Sequence, residues 1–410
     1  MNALLRSHAD EIVKASIEAV LPDNAVQRAL QNKHFPGRVV LVAAGKAGWQ
    51  MAKAAWDVLG DRIDGGVVVT KYDHVMGPIG PLELCEAGHP VPDENSFAGT
   101  AKALAVTENL TEQDTVLFLL SGGGSALFEA PLVSGQELQD ITRQLLACGA
   151  DIVEMNTIRK RLSRVKGGRF ARHCAPAQVF TVVLSDVLGD PLDMIASGPA
   201  CADSSTCAEA LAIVKKYGLS LSERALALLA EETPKVLSNV TTQITGSVKE
   251  LCTAAAKAAS ALGYEPVLLT DQLCCQAKEA GSFLGSVLKT HAGTKSLAFI
   301  AGGETVVKLV GKGLGGRNQE LALAAAPAID GLSGTAVFSI GSDGTDGPTD
   351  AAGGYVDEDT VSELKAKGLS VHEILENNDA YHGLQAVDGL IITGPTGTNV
   401  NDVAVALCHI

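Results

Sequence analysis

Short apolar runs alternate with helical patterns along most of the chain. Val39-Val40-Leu41-Val42-Ala43-Ala44 reads as a buried strand, and Gly45-Lys46-Ala47-Gly48 turns it into a helix carrying Trp49, Met51, Ala52, Ala55 and Trp56. Gly66–Thr70 predicts a second strand and 97–109 a helix. Thr115–Leu120 predicts a third strand, running into Ser121-Gly122-Gly123-Gly124-Ser125. Helices are predicted over 135–148 and 155–172, and Val179–Leu184 is a strand ending in Ser185-Asp186. Such strand–loop–helix repetition predicts an α/β fold with a doubly wound, largely parallel sheet covered on both faces.

Between Thr233 and Thr245 the pattern loosens into Thr, Ser, Asn and Pro234. A boundary there divides the chain into 1–236 and a smaller α/β domain over 237–410. In the second part, helices are predicted at 248–262 and 276–290. Strands are predicted at Pro266–Thr270, Leu297–Ala301, Thr305–Val310, Ala336–Ile340 and Gly389–Thr393, with a hairpin at Val306–Gly313. At 410 residues both parts can bury a proper core, and 46% hydrophobic residues with 4% aromatics suit packing of Val, Ile, Leu and Ala.

Charge narrows the choice of partners. A net charge of -15 argues against a general nucleic-acid or anionic-membrane binder. No stretch approaches the roughly 20 apolar residues that span a bilayer. Met1–Leu21 reads as an amphipathic helix, not a signal peptide, so a cytoplasmic location is expected. The nine cysteines have no Cys-x-x-Cys spacing, so they are expected to be reduced thiols, not a zinc site.

Candidate chemistry gathers in loops. Ser121, Gly122, Gly123, Gly124 and Ser125 form the clearest anion cradle, placed between a strand and an expected helix start. Lys46, after the first strand, supplies a point charge for phosphate. Arg159, Lys160, Arg161, Arg164, Lys166, Arg169 and Arg172 make a basic stretch without an acid, expected to line a solvent or cleft face. The loops Ser185–Asp193 and Ser342–Asp350 carry acids suited to Mg²⁺ or to a reacting hydroxyl: Asp186, Asp190, Asp343 and Asp346. Arg317 follows Gly315-Gly316 at a helix start, where the dipole disfavours a cation unless an anion sits alongside. His89 is embedded in a Gly/Pro loop. Neither a Walker A loop nor a Gly-x-Ser-x-Gly elbow is present.

Taken together these motifs resemble the glycerate 2-kinase family, the class II glycerate kinases with a MOFRL domain. The resemblance runs through Gly45–Gly48, Glu86–Pro90, Ser121–Ala126, Asn156–Gly168, Ser185–Pro199, Gly302–Thr305, Gly315–Leu321, Asp343–Gly353 and Thr393–Asp402. It implies a Rossmann-like N-terminal domain, a smaller α/β domain and an active site in the cleft between them. It also implies ATP and Mg²⁺ as cofactors, with D-glycerate converted to 2-phosphoglycerate; the chain is expected to be a monomer or homodimer with small-molecule substrates.

By the same resemblance Lys46 and Arg317 stand at the reaction centre, with Asp186 as a further catalytic candidate. Within the matching motifs Asn156, Arg159, Lys166, Glu304, Asn318, Thr398 and Asn399 are expected to bind substrate or ATP, beside the Ser121–Ser125 loop. Asp190, Asp343 and Asp346 are the candidate metal ligands. Gly48 and Arg161 depart from the family pattern, which suggests Ser and His there. Two other readings stand beside the kinase. An NAD(P)H-dependent hydroxypyruvate reductase lacks its Gly-x-Gly-x-x-Gly fingerprint here, and a nucleotide-sensing module would bind ATP without turnover.

Overall fold

The computed structural model describes residues 1–293 and 295–410 and divides into two compact units. One comprises Pro22–Thr245; the other comprises Gly246–Ile410 together with Met1–Leu21. The sequence boundary at 236/237 therefore moves to 245/246, and the first 21 residues change sides. The reason lies in the N-terminal helix, Ala3–Val20. Its buried stripe Leu5, Ala9, Ile12, Val13, Ile17 and Val20 follows helical spacing. Asn2 caps that helix, and its backbone N–H reaches Asp357 Oδ2 at 2.7 Å. His8 Nδ1 lies 2.8 Å from the Tyr264 hydroxyl. Periodicity predicted this helix but carries no address for its apolar face.

The Pro22–Thr245 unit is built on β1 (Val39–Ala44), β2 (Ile63–Lys71), β3 (Leu82–Ala87), β4 (Thr115–Leu120), β5 (Gln178–Leu184) and β6 (Val240–Gly246). Their order is β3-β2-β1-β4-β5-β6, the doubly wound Rossmann order. The pairs β1–β2, β1–β4, β2–β3 and β4–β5 are all parallel. Successive β1 residues feed opposite faces. Val40, Val42 and Ala44 join one core cluster, and Val39, Leu41 and Ala43 join the other. The strand order reverses between β1 and β4, which opens a crevice at their carboxyl ends where ligands bind in such sheets.

The other unit has β7 (Glu265–Leu273), β8 (Leu297–Gly303), β9 (Thr335–Gly341), β10 (Gly353–Asp357), β11 (Leu390–Ile391) and β12 (Asp402–Cys408), ordered β11-β10-β9-β12-β8-β7. Only β7–β8 is parallel among its recorded pairs; β12 runs antiparallel to both β8 and β9. The final strand thus occupies the middle of the sheet, fully buried, a placement the local pattern does not convey. Thr305–Val310, expected as a strand and hairpin, is a loop touching Gln276 through a single bridge at Val306. Val306, Leu309 and Val310 stay exposed, so this apolar run lacks the packing that makes a strand. Likewise 155–172 is two helices, Ile152–Arg161 and Arg169–Cys174, because Gly167 and Gly168 adopt positive φ between them.

Candidate active site

In the Pro22–Thr245 unit the turns after β1 and β4 are tied to each other. The Lys46 N–H donates to Gly122 O at 2.9 Å, and the Ala47 N–H donates to Ser121 Oγ at 3.1 Å. Lys46 is half-buried, and among the described residues its ammonium pairs with no carboxylate. The ring of His89 shares this corner. A β-carbon built on Gly123 would lie 3.0 Å from His89 Cδ2 and 3.1 Å from Lys46 Cγ. Burial first, then the charge of Lys46, holds His89 below its ordinary pKa, so it is neutral near pH 7. At Gly122 a side chain would collide with the Asp186 carboxylate, so glycine lets the loop after β5 close on the loop after β4.

The helix expected after Ser121–Ser125 is a single turn, Gly124–Leu127, and its dipole adds little. Side chains beneath the loop hold it instead. Lys166, fully buried, donates to Ser125 O at 2.8 Å and Phe128 O at 3.1 Å, and faces Glu129 at 3.4 Å. Burial lowers its pKa to about 8, against the pull of Glu129. Arg159 Nη2 donates to Ser125 O at 3.0 Å, while its Nε is buried without a partner. Asn156 Oδ1 accepts from the Ser197 hydroxyl at 2.8 Å, and Ser197 Oγ lies 3.3 Å from Ser125 Oγ. Ser197 itself, with Ala196 and Asp190, adopts positive φ, a strained conformation concentrated in the loop after β5.

Only part of the basic stretch meets solvent: Arg164 and Arg172 are exposed and Arg159 is half-buried. Lys160, Arg161, Lys166 and Arg169 are buried. Lys160 Nζ reaches Asp193 at 3.2 Å and Asp203 at 3.1 Å. Arg161 donates to Thr157 O and Ser205 O and pairs with Glu232 at 3.3 Å. The acids that pair with Lys160 and Arg161 lie 33 to 71 positions away, outside any local pattern; buried charges need such partners.

In the other unit the register of β12 sets Asp402 opposite Gly303 of β8 and Gly341 of β9, at the sheet's loop edge. There Arg317 makes a two-pronged bond: Nε to Asp402 Oδ2 at 2.6 Å and Nη2 to Asp402 Oδ1 at 3.0 Å. Its Nη1 donates to Glu304 Oε1 at 2.9 Å. Burial opposes the charge on Arg317, but these carboxylates outweigh it and raise its pKa. The anion that its helix-start position calls for is thus supplied by the protein itself. Asp402 was not among the sequence candidates; it closes the Thr393–Asp402 motif, and only strand pairing reveals its partner.

The expected acids part company here. Asp346 is buried and caps the helix Arg317–Ile329, accepting from Asn318 N–H at 3.1 Å and Gln319 N–H at 2.8 Å. Gly316 permits this approach, since a β-carbon there would collide with Asp346. Burial lifts the Asp346 carboxyl to about 6. Asp343 is half-buried and accepts from the Thr345 N–H at 3.0 Å. Asn318 is buried, bonded to Asp346 and to Ser339. Thr398 donates to Val20 O at 2.9 Å, and Asn399 is exposed. Among the described residues no three His, Cys, Asp or Glu side chains converge as a ready-made metal cage. Lining the loop edge, Glu304, Arg317, Asp343 and Asp346 border a cavity of about 740 Å³.

Comparison with known proteins bears on what these edges do. Residues 8–230 match the family described as Domain of unknown function (DUF4147), and residues 297–402 match the MOFRL family. The chain is 54% identical to the D-glycerate 2-kinase of Thermotoga maritima over 98% of both chains. This chain belongs to the glycerate 2-kinase family. The Pyrococcus horikoshii glycerate 2-kinase is 40% identical, covering 97% of this chain and 96% of that protein. The crystal structure of a glycerate kinase from Thermotoga maritima superposes with a TM-score of 0.95, at 53% identity, covering 99% of this chain and all of the other. Glycerate 2-kinase relatives therefore share the Rossmann-ordered sheet and the mixed sheet described above.

Proposed function

We propose that this chain is an ATP-dependent kinase that phosphorylates D-glycerate at its 2-hydroxyl, yielding 2-phosphoglycerate and ADP. End-to-end identity with a D-glycerate 2-kinase carries the reading. Lys46 at the β1/β4 reversal, beside a glycine loop and without a carboxylate partner among the described residues, supports it, because phosphoryl transfer needs positioning and charge neutralisation more than covalent chemistry.

In this reading Lys46 meets a phosphoryl oxygen as a point charge. Arg317, held in one orientation by Asp402 and Glu304, offers its guanidinium to the charge that develops during transfer. Asp186, at the end of β5 against the glycine loop, accepts the proton of the substrate hydroxyl. The Ser121–Ser125 loop holds an anionic group, and neutral His89 lends a ring nitrogen nearby. Lys166, Arg159 and Asn156 act beneath the loop, keeping it in place.

Mg²⁺ suits this donor set. It takes one or two carboxylates, substrate phosphates and water, not a protein cage. Asp190 fits best, because its Oδ1 is buried with no hydrogen-bond partner; Asp343 is the second candidate. The ion's contribution is to neutralise phosphate charge. Asp346 serves as the helix cap. We place the enzyme in the cytoplasm as a monomer or homodimer, with small-molecule partners only; its nine cysteines are free, and no helix among the described residues is long and apolar enough to cross a membrane.

Phosphorus NMR of the purified protein with ATP, Mg²⁺ and D-glycerate tests the proposal. 2-Phosphoglycerate appearing with equal ADP is the expected spectrum. The 3-phospho isomer would overturn the regiochemistry. NADH consumption with hydroxypyruvate, and no phosphorylated product, would replace the kinase with the reductase.

A further inference from the structure

The helix Gly135–Ala147 and the segment Pro90–Pro92 enclose a cavity of about 380 Å³ that no step above uses. Its volume falls in the range of small-molecule sites, about 300–1,000 Å³. Three observations set it apart from an ordinary surface dent. Its walls are apolar and partly bare: Leu146 is 62% exposed and Val91 58% exposed, beside Pro90, Pro92 and Met155. Its lining includes Arg159, whose Nε is buried without a partner among the described residues while Nη2 is fixed on Ser125 O. It also abuts the glycine loop twice, through Arg159 on Ser125 and through His89, which precedes Pro90 and lies over Gly123.

A ligand that reaches from this cavity to the loop has an apolar, flat end and an anionic end. We propose that the cavity takes the base and ribose of the nucleoside triphosphate, with the phosphates directed at the Ser121–Ser125 loop and Lys46. Proline rings, Leu146 and Met155 cover the faces of the base, and the Arg159 guanidinium supplies a cation beside a π-system together with a spare N–H donor. Gln139, the amide in the cavity's lining, donates to Pro92 O at 3.2 Å, so it braces the wall. The grip is accordingly on the faces of the base more than on its edges. This rests on the kinase reading, which the experiment keeps separate.

The test compares ATP with inorganic tripolyphosphate, which has the phosphates and no base. Equilibrium binding to each is measured by calorimetry on wild type and Leu146→Glu, alongside the KM for ATP and for D-glycerate. Leu146 is exposed on a helix, where Glu is an equally good helix former, so folding is preserved. The expected result is ATP binding weakened about tenfold or more, roughly 1.4 kcal/mol or beyond, with tripolyphosphate binding and the KM for D-glycerate unmoved. Unchanged ATP affinity, or equal loss for ATP and tripolyphosphate, overturns the pocket. So does a loss of ATP binding in Leu309→Ser with none in Leu146→Glu, which would move the base to the exposed loop before Arg317. Because binding is read without turnover, absence of product in wild type would sink the kinase and leave the pocket's result standing.

Discussion

Lys46 and Arg317 each sit beside glycines at the loop edge of a sheet, yet the protein treats them differently. Lys46 has no carboxylate partner among the described residues and rests against a loop whose backbone is stitched to its own turn. Arg317 is bound on both prongs by Asp402 and again by Glu304. A flexible ammonium left unpaired keeps its full attraction for an incoming phosphate. A guanidinium locked by carboxylates loses some of that attraction but gains a fixed direction, which matters where charge develops in a transition state. The difference also shows in what surrounds them: buried lysine and arginine prop the first site from below, whereas acids line the second.

The sharpest way to break this comparison is to remove each cation in turn. Arg317→Ala should lower kcat by about 10³-fold or more, with a smaller change in the KM for either substrate. Lys46→Met should lower kcat/KM by about 10²–10³-fold and weaken tripolyphosphate binding, which Arg317→Ala should spare. Steady-state kinetics with the binding titration decides; identical profiles for the two variants would erase the distinction.

The buried cations of the basic stretch make a stability prediction instead. Arg161→Met removes the bonds to Thr157 O, Ser205 O and Glu232, while Lys160 still pairs with Asp203 and Lys235 with Glu232, and should cost about 1–3 kcal/mol in denaturant unfolding while leaving kcat near wild type. A large loss of kcat with stability intact would return the basic stretch to the ligand. Asp402→Asn should have a smaller effect, about tenfold in kcat, because Glu304 still holds one prong of Arg317. Full activity in that variant would show that orientation of Arg317 is not limiting.

The gentlest test is pH. Lys166 has a folded-state pKa of about 8 against 10.5 ordinarily, so between those values the unfolded chain binds more protons than the native one. This residue therefore makes unfolding free energy rise with pH from about 8 to 10.5, and its cost is fully present below 8. Chemical denaturation across that window should show a positive slope that Lys166→Met reduces. The same slope in the variant would assign it to other groups.

Much of the scaffold was legible along the chain. Alternation of buried runs with amphipathic helices marked β1, β2, β4, β5, β8 and β9, since a strand buried on both faces must be apolar throughout and its turns must be polar or glycine-rich. The same reasoning singled out Lys46, the Ser121–Ser125 loop and Arg317 as candidates, and at Arg317 the anions alongside are Asp402 and Glu304. Local pattern also misled in places where it could not see a partner. Thr305–Val310 has strand composition but no neighbour to pair along its length. Lys160 and Arg161 read as solvent-facing although they are buried, because the acids that neutralise them, Asp203 and Glu232, are remote in sequence.

What the sequence by itself determined is the α/β class and the elements built on apolar runs, β1, β2, β4, β5, β8 and β9, which follow from side chains within a few positions of one another. Only the tertiary structure decided that the first helix packs with Gly246–Ile410, that β12 enters the middle of a sheet, and that this register delivers Asp402 to Arg317. Those outcomes depend on contacts between residues up to hundreds of positions apart. Burial and strand register select them, and neither leaves a local signature.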